Sequence, residues 1–340
     1  MADDDDIEEG ACLDLLTPLQ RYRRGNTLSV SDIAQQAWCE LQTAFSLEYR
    51  RKTTPAMKLG TKRHREMELE VHELREIQTV TAEDSWACKM INTIFSIGEL
   101  LTTGRTRELH VFGSLDPLRY LLQESNDEQS WAIGIIDLIE LHPPSQHDQQ
   151  REEGLIPFLV DNKTRTVASV PGFAQKRTSR MQMMLYKFLF DNLVSNPSSD
   201  WIADFLKARD LNPMAISTSP DVVTELQKFD LQDRNLLQIC IAAVNSFQAV
   251  SRSSSMLKVV YELQGMRAQL GEDIWRYDHD HLQGDVGYFL EFWTGLRGPN
   301  PVLSGEAWKC RSCQYRQMCS QSPYQPRLQS DQQHSASDHS

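Results

Sequence analysis

Two acids and a lysine stand where a buried strand should not want charge. Asp137 interrupts the apolar run Ile133–Leu141, and Asp161 follows the run Ile156–Val160, with Lys163 two residues further on. Both runs read as β-strands, joined by a polar loop at 142–154 rich in Pro, Gln and charge. Side chains alternate along a strand, so Asp161 and Lys163 point to one side. Carboxylate oxygens suit Mg2+, which keeps several waters and takes only one or two protein carboxylates. Phosphodiester cleavage uses such an ion to activate water and to stabilise the leaving oxygen. The pattern Asp…(Asp/Glu)-x-Lys therefore points to metal-dependent hydrolysis of a phosphodiester. Asp137 and Asp161 would be the ligands. Lys163 would position or help deprotonate the attacking water, or balance phosphate charge.

A second constellation lies near the C-terminus. Cys310, Cys313 and Cys319 form C-x2-C-x5-C. Three thiolates are one short of the four that tetrahedral zinc or a cubane iron–sulfur cluster prefers. Among the other cysteines, Cys39 beside Trp38 has the best context for the fourth. Zinc and iron–sulfur both remain open on spacing alone. Either would tie the N-terminal helix to the C-terminal segment and contribute folding energy directly. The chain has seven cysteines. An odd number without a signal peptide argues against a secreted disulfide scaffold.

These residues need elements to position them. Ser31 or Asp32 can cap a helix whose stripe is Ile33, Ala37, Leu41 and Ala44, with Cys39 inside it. A second helix begins at Gly60-Thr61 and puts His64 and Glu68 on one face. Ile77–Val80 has strand character. Ser85–Thr103 is an amphipathic helix with Trp86, Met90, Ile94, Ile97 and Leu101 as its stripe, ended by Gly104. Arg107–Gly113 is a core strand with Glu108 at its start. A long helix over Phe173–Val194 carries Gln182 and Tyr186 four residues apart. Arg234–Phe247 and Met256–Leu270 read as helices, and Asp285–Phe292 as a last one.

Composition is that of an ordinary globular chain of 340 residues, 40% hydrophobic and 24% charged, with no apolar run long enough to span a membrane. The net charge of −12 opposes nucleic-acid binding on its face, but six acids fall in the first ten residues. Tyr49–Arg65 has no acid and seven Lys or Arg, and Asn162–Phe190 has no acid and carries Lys163, Arg165, Lys176, Arg177, Arg180 and Lys187. Both basic stretches adjoin the candidate site, where a phosphate backbone would run. Tyr186, Phe188 or Trp86 could stack bases.

Taken in order, SVSDIAQQAWCELQ with Cys39, the helix carrying Gly60, Thr61, His64 and Glu68, Arg107-Glu108, Gly134-Ile-Ile-Asp137, Asp161-Asn-Lys163-Thr-Arg165, Gln182-x-x-x-Tyr186 and C-x2-C-x5-C resemble the exonuclease V family. That family is a RecB-like branch of the PD-(D/E)XK nucleases, and the resemblance runs from about Leu28 to Cys319. It implies an α/β fold with a restriction-endonuclease-like core, a mixed central sheet flanked by helices, and an iron–sulfur staple joining the N- and C-terminal segments. Cys39, Cys310, Cys313 and Cys319 match the ligands of a 4Fe–4S cluster. Asp137, Asp161 and Lys163 match the catalytic core, His64 matches a metal-associated histidine, and Gln182 and Tyr186 match a motif lining the DNA path. Arg165, Lys176, Arg177 and Arg180 would add to DNA binding, with Glu108 and Glu68 as supporting acids. Many relatives carry Glu where this chain has Asp161, one methylene shorter.

The activity so implied is Mg2+-dependent exonuclease action on single-stranded DNA from a free end, 5′ to 3′, releasing short oligonucleotides in replication, repair or mitochondrial genome maintenance. Two alternatives are a non-catalytic DNA-binding protein on a degenerate nuclease fold and a zinc-ribbon adaptor that binds protein. The expected organisation is a mobile acidic segment at 1–27, one nuclease domain at 28–320 with its iron–sulfur segment at about 300–320, and a disordered tail at 321–340. A monomer is expected, with single-stranded DNA and a single-strand-binding protein as partners, and no membrane. The family occurs in mitochondria and nuclei, and MADDDDIEEG has the marks of neither a signal peptide nor a presequence.

Overall fold

The computed structural model describes residues 16–69, 77–119, 129–148, 154–196 and 198–324. The acidic start of the chain and most of the tail expected at 321–340 fall outside them. Among the described residues the strands are β1 (Thr27–Ser29), β2 (Arg105–Ser114), β3 (Trp131–His142), β4 (Ile156–Arg165), β5 (Met256–Leu263) and β6 (Ala268–Arg276). The helices that bear on the site are α1 (Val30–Ala34), α2 (Pro55–Leu69), α3 (Ala82–Thr103), α4 (Phe173–Ser195) and α5 (His279–Trp293). This is a mixed α/β architecture: one sheet with parallel and antiparallel pairs, and helices packed on it. No helix among the described residues is long and apolar enough to cross a membrane.

The sheet is built around β3. One edge of β3 pairs antiparallel with β2 along almost its whole length. The other edge is shared. β1 pairs in parallel with Trp131–Ile133, and β4 pairs antiparallel with Leu138–His142. Between these partners, no strand among the described residues pairs with Gly134–Asp137 on that side. β4 pairs with β3 only as far as Val160, then continues beside β5 in parallel from Val160 to Arg165. β3 and β4 therefore fork just where Asp137 and Asp161 stand.

Local chemistry explains most of the elements. Thr81 caps α3 reciprocally with Asp84, and Gly104 ends it at φ 79°, a left-handed conformation that costs glycine little. Trp86, Met90, Ile97 and Leu100 face the core, while Leu101 is largely exposed, so the stripe turns one residue earlier than expected. α4 buries Met181, Met184, Leu185, Phe188 and Leu189, its expected apolar stripe.

Four local expectations are corrected. Residues 77–80 are not a strand, and Val80 is exposed. α2 starts at Pro55, where Thr54 Oγ1 accepts from Met57 N at 3.2 Å, and runs straight through Gly60. Met256–Leu270 is not a helix but the β5–β6 hairpin, turned by Gly265 at φ 81° and Arg267 at φ 53°. Its buried residues Leu257, Val259 and Tyr261 alternate with period two, the strand period. The first helix stops at Ala34 with Ser29 and Asp32 as its capping box. Cys39, expected inside it, instead has extended backbone (φ −168°, ψ 116°) and caps a separate helix, Glu40–Glu48. Described structure also begins ahead of Leu28, in the helix Pro18–Tyr22, which buries Leu19.

The chain divides into two compact units. One comprises Met1–Trp38 and Thr53–Gly298 and contains the sheet; the other comprises Cys39–Lys52 and Pro299–Ser340. Within the second, Asn300 N donates to Glu40 Oε2 at 2.8 Å, and Phe45 stacks on Tyr315 with centroids 5.5 Å apart. Tyr315 Oη donates to Tyr49 O at 3.1 Å, and Lys52 N to Gln314 Oε1 at 3.1 Å. Segments some 260 residues apart in the chain (Glu40 and Asn300) thus pack as one body.

Candidate active site at the strand fork

Three neighbouring strands and α2 deliver the polar groups. The β2–β3 register runs Arg107 to Leu138 and Leu109 to Ile136, which sets Glu108 level with Asp137. Glu108 has φ 53°, a left-handed conformation unusual for a non-glycine inside a strand. Such strain costs about 1–3 kcal/mol and persists only where the surroundings impose it. Single atoms of His64, Glu108 and Asp137 lie within 4.8 Å of one another, the spacing of a metal-ligand group. His64 Nδ1 is 3.5 Å from Asp137 Oδ2. Asn162 N donates to Asp137 Oδ2 over a long 3.4 Å, bridging the fork.

Asp161 is fully buried, and neither of its oxygens finds a hydrogen-bond partner of good geometry. Lys163 Nζ compensates it as an ion pair 2.9 Å from Oδ2. A buried carboxylate with unused lone pairs fits a cation site, since unpaired burial is expensive. The residues present therefore fit a divalent ion.

The electrostatics agree. Burial, reinforced by Asp161, raises the Asp137 carboxyl well above its ordinary range. Burial would lower the Lys163 ammonium, but Asp161 and Asp137 outweigh it, so the lysine stays charged. Burial and then Lys163 lower His64. A neutral imidazole offers a lone pair at neutral pH, so the close His64–Asp137 approach is not a standing ion pair.

Lys163 is held from a second side. Its Nζ donates to Gln182 Oε1 at 3.2 Å, and Gln182 Nε2 donates to Tyr186 Oη at 2.7 Å. Gly134 makes room for this. A Cβ there would stand 2.6 Å from the Tyr186 ring and 2.8 Å from Val30 Cγ2. The Gly134-Ile-Ile-Asp137 spacing thus couples a close helix approach to an acid three residues later. Tyr186 is buried, as are Phe188 and Trp86, so none of the three is presented for base stacking.

The four basic residues expected to meet DNA fare differently. Lys176 Nζ is 2.9 Å from Asp273 Oδ1, and Arg180 Nε is 2.8 Å from Asp273 Oδ2, so one buried acid on β6 ties both. Arg177 lies near Asp285 of α5. Arg165 has no ion pair among the described residues. Glu68 is not in the group formed by His64, Glu108 and Asp137, and Glu66 two residues earlier pairs with Arg267 at 3.0 Å. Sequence reasoning missed Asp273 and Tyr261 because both sit in or beside the segment misread as a helix. The alternation of Leu257, Val259 and Tyr261 was the available signal.

Cys39, Cys310, Cys313 and Cys319 all belong to the smaller unit. Burial raises the Cys39 thiol first, with Cys313, Cys310 and Cys319 adding to it; Cys310 and Cys313 are raised likewise. The four sulfurs are therefore in electrostatic reach of one another.

A forked mixed sheet with one buried and one half-buried acid, a lysine and a neutral histidine at the fork is a site suited to metal-assisted phosphodiester hydrolysis. Residues 17–236 and 216–321 match the family described as exonuclease V, a 5′ deoxyribonuclease. The chain belongs to the exonuclease V family. It is 28% identical over 310 residues to a zebrafish (Danio rerio) protein named exonuclease V, covering 89% of this chain and 72% of that one. It is 27% identical over 234 residues to a Kluyveromyces lactis protein named exonuclease V, mitochondrial, covering 54% and 42%. The chain is accordingly a DNA exonuclease, a hydrolase acting on DNA, rather than an adaptor or a non-catalytic binder. Membership of a nuclease family implies a divalent metal.

Proposed function

We propose that this exonuclease cleaves single-stranded DNA from a free end, 5′ to 3′, with Mg2+ held by Asp137, Asp161 and His64, and that Glu108 joins them. The observation that carries the reading is the buried Asp161, compensated by the charged Lys163 at 2.9 Å but with no hydrogen-bond partner of good geometry. When bound, the ion supplies Lewis acidity to the phosphate and lowers the pKa of water. Lys163, held charged between Asp161 and Gln182, places a positive charge where the phosphate gains negative charge. It is an electrostatic group rather than a base. Tyr186 and Gln182 position it. The fold is read as a PD-(D/E)XK core, with Asp161 as the shorter of the two acids that pattern allows.

Cys39, Cys310, Cys313 and Cys319 are proposed to hold a 4Fe–4S cluster, the staple of the smaller unit. The gathering of the four cysteines in the smaller unit, within electrostatic reach of one another, supports this. A mitochondrial site of action follows from the name of the Kluyveromyces lactis relative, and a nuclear one from the family resemblance. The proposed organisation is a nuclease domain over 28–320, acting as a monomer with a single-strand-binding protein.

The test combines iron quantitation after anaerobic purification with cleavage of 5′- and 3′-labelled linear and circular single strands, with and without Mg2+. Lys163→Ala and Asp161→Ala should fold and cleave nothing. Full activity in either, or cleavage of circles, would sink the assignment. Zinc without iron would sink the cluster.

A further inference from the structure

Tyr261 stands on β5 directly across from Lys163 of β4. Register partners on neighbouring strands face the same side, so Tyr261 shares the face of Asp161, Lys163 and, by alternation, Arg165. Its side chain is 2% exposed, yet its hydroxyl has no hydrogen-bond partner. Arg165 Nε is buried and unpartnered as well. Buried donors are nearly always satisfied in native proteins, and each exception asks for an explanation. Two such donors side by side, one strand repeat from the proposed cleavage centre, point to a ligand.

The surroundings narrow its chemistry. Arg165 and Arg180 lie in electrostatic reach of the phenol, as do Asp273 and Asp161. Arg180 shares Asp273 with Lys176, whereas Arg165 has no ion pair among the described residues. Burial, then Asp273 and Asp161, push the phenol up to about 12, so at neutral pH it is an O–H donor. A cation and a neutral donor without acceptors suit an anion with several oxygens, and the substrate is a polyanion of that kind.

We propose that Tyr261 and Arg165 form a second phosphate subsite, holding a phosphodiester next to the one being cleaved. Arg165 and the Tyr261 hydroxyl donate to its non-bridging oxygens. Two residues along a strand span roughly 6.6 Å, of the order of the separation between neighbouring phosphates in an extended single strand. The subsite thus sets the register of the strand relative to Lys163. The loop 166–172 passes this end of the sheet, where Val170 Cγ2 would stand 2.8 Å from a Cβ on Gly271, the β6 partner of Tyr261. Entry of the strand displaces that largely exposed loop. The proposal rests on Asp137, Asp161 and Lys163 being the cleavage centre.

The test pairs Tyr261→Phe and Arg165→Gln with single-stranded oligonucleotides carrying one uncharged methylphosphonate at successive positions. A hydrogen bond to a charged group corresponds to roughly tenfold or more in affinity. Tyr261→Phe should therefore raise KM by roughly tenfold on ordinary DNA, with the loss falling mainly on KM, and should unfold no more easily than the parent. The parent should lose at least that factor when the phosphate beside the cleaved bond is neutralised, and Tyr261→Phe should lose less than the parent there, because its hydroxyl contact is already gone while that of Arg165 remains. An unchanged KM in Tyr261→Phe, or losses that multiply at every methylphosphonate position, would overturn the subsite. Lys163→Ala separates the two readings. If it is inactive while Tyr261→Phe matches the parent, only the subsite fails. If it cleaves normally, the centre fails and the subsite with it.

Discussion

Gly134→Ala should damage catalysis more than stability. The added methyl would stand 2.6 Å from Tyr186 Cε1 and 2.8 Å from Val30 Cγ2. Ordinary carbon contacts lie at about 3.5–4.0 Å, so something must yield by about 1 Å. Neither neighbour has room, since Tyr186 and Val30 are both buried. Overpacking of this kind costs about 1–3 kcal/mol. The consequence for chemistry follows from the chain Tyr186–Gln182–Lys163, whose links are 2.7 and 3.2 Å. A ring pushed outward by about 1 Å drags Gln182 and loosens Lys163, and a misplacement of that size can cost about 100-fold. Gly113→Ala is the matched control. It also faces α4, but its Cβ would meet Leu189 Cδ2 at 3.5 Å, an ordinary contact. The assay is urea unfolding beside single-turnover cleavage of an end-labelled strand at saturating Mg2+. The expected result is a 10- to 100-fold slower rate in Gly134→Ala, with a stability loss of about 1–3 kcal/mol and near-parental behaviour in Gly113→Ala. Equal rates in the two variants would refute the coupling of Gly134 to Lys163.

Further predictions concern the framework. Asp148 accepts from Ser145, Ser254 and Ser255, and these donors overcome its burial to hold the carboxyl far below its ordinary range. Its stabilisation is therefore complete above the unfolded value near 3.8 and is lost as pH falls below that towards the depressed folded value. Asp148→Asn should cost about 1–3 kcal/mol at pH 7, with the gap from the parent closing below pH 4 in acid unfolding; a gap independent of pH would contradict the sign. Asp273→Asn removes the acid that pairs with both Lys176 and Arg180. It should destabilise by less than the about 3–5 kcal/mol of a fully buried pair, because both bases are partly exposed, and should steepen the salt dependence of DNA binding. An unchanged salt slope would mean that those bases do not face DNA. Cys313→Ser should bleach visible absorbance and lower Tm, read by spectroscopy and thermal melting.

The balance between sequence and structure is clearest at Asp161. Strand periodicity and the Asp-x-Lys triplet were enough to locate Asp137, Asp161 and Lys163, because alternation of side chains is a local property. The Cys pattern was equally local, and so was the helix stop at Gly104, whereas the cap at Thr81–Asp84 went unread. The β5–β6 hairpin escaped because a short apolar run does not distinguish strand from buried helix until its partner is known. With it went Asp273, which decides that Lys176 and Arg180 are spent on an ion pair, and Tyr261, whose hydroxyl faces the proposed phosphate subsite. The fork of β3 and β4 depends on β1 and β4 sharing one edge of β3, a pairing between segments about a hundred residues apart, Thr27 and Trp131. No window of sequence contains it. The residue types able to do the chemistry were therefore determined by the chain alone. Which of them meet, and which are neutralised by a distant acid, was decided by the tertiary structure, because charges pair through space rather than along the backbone.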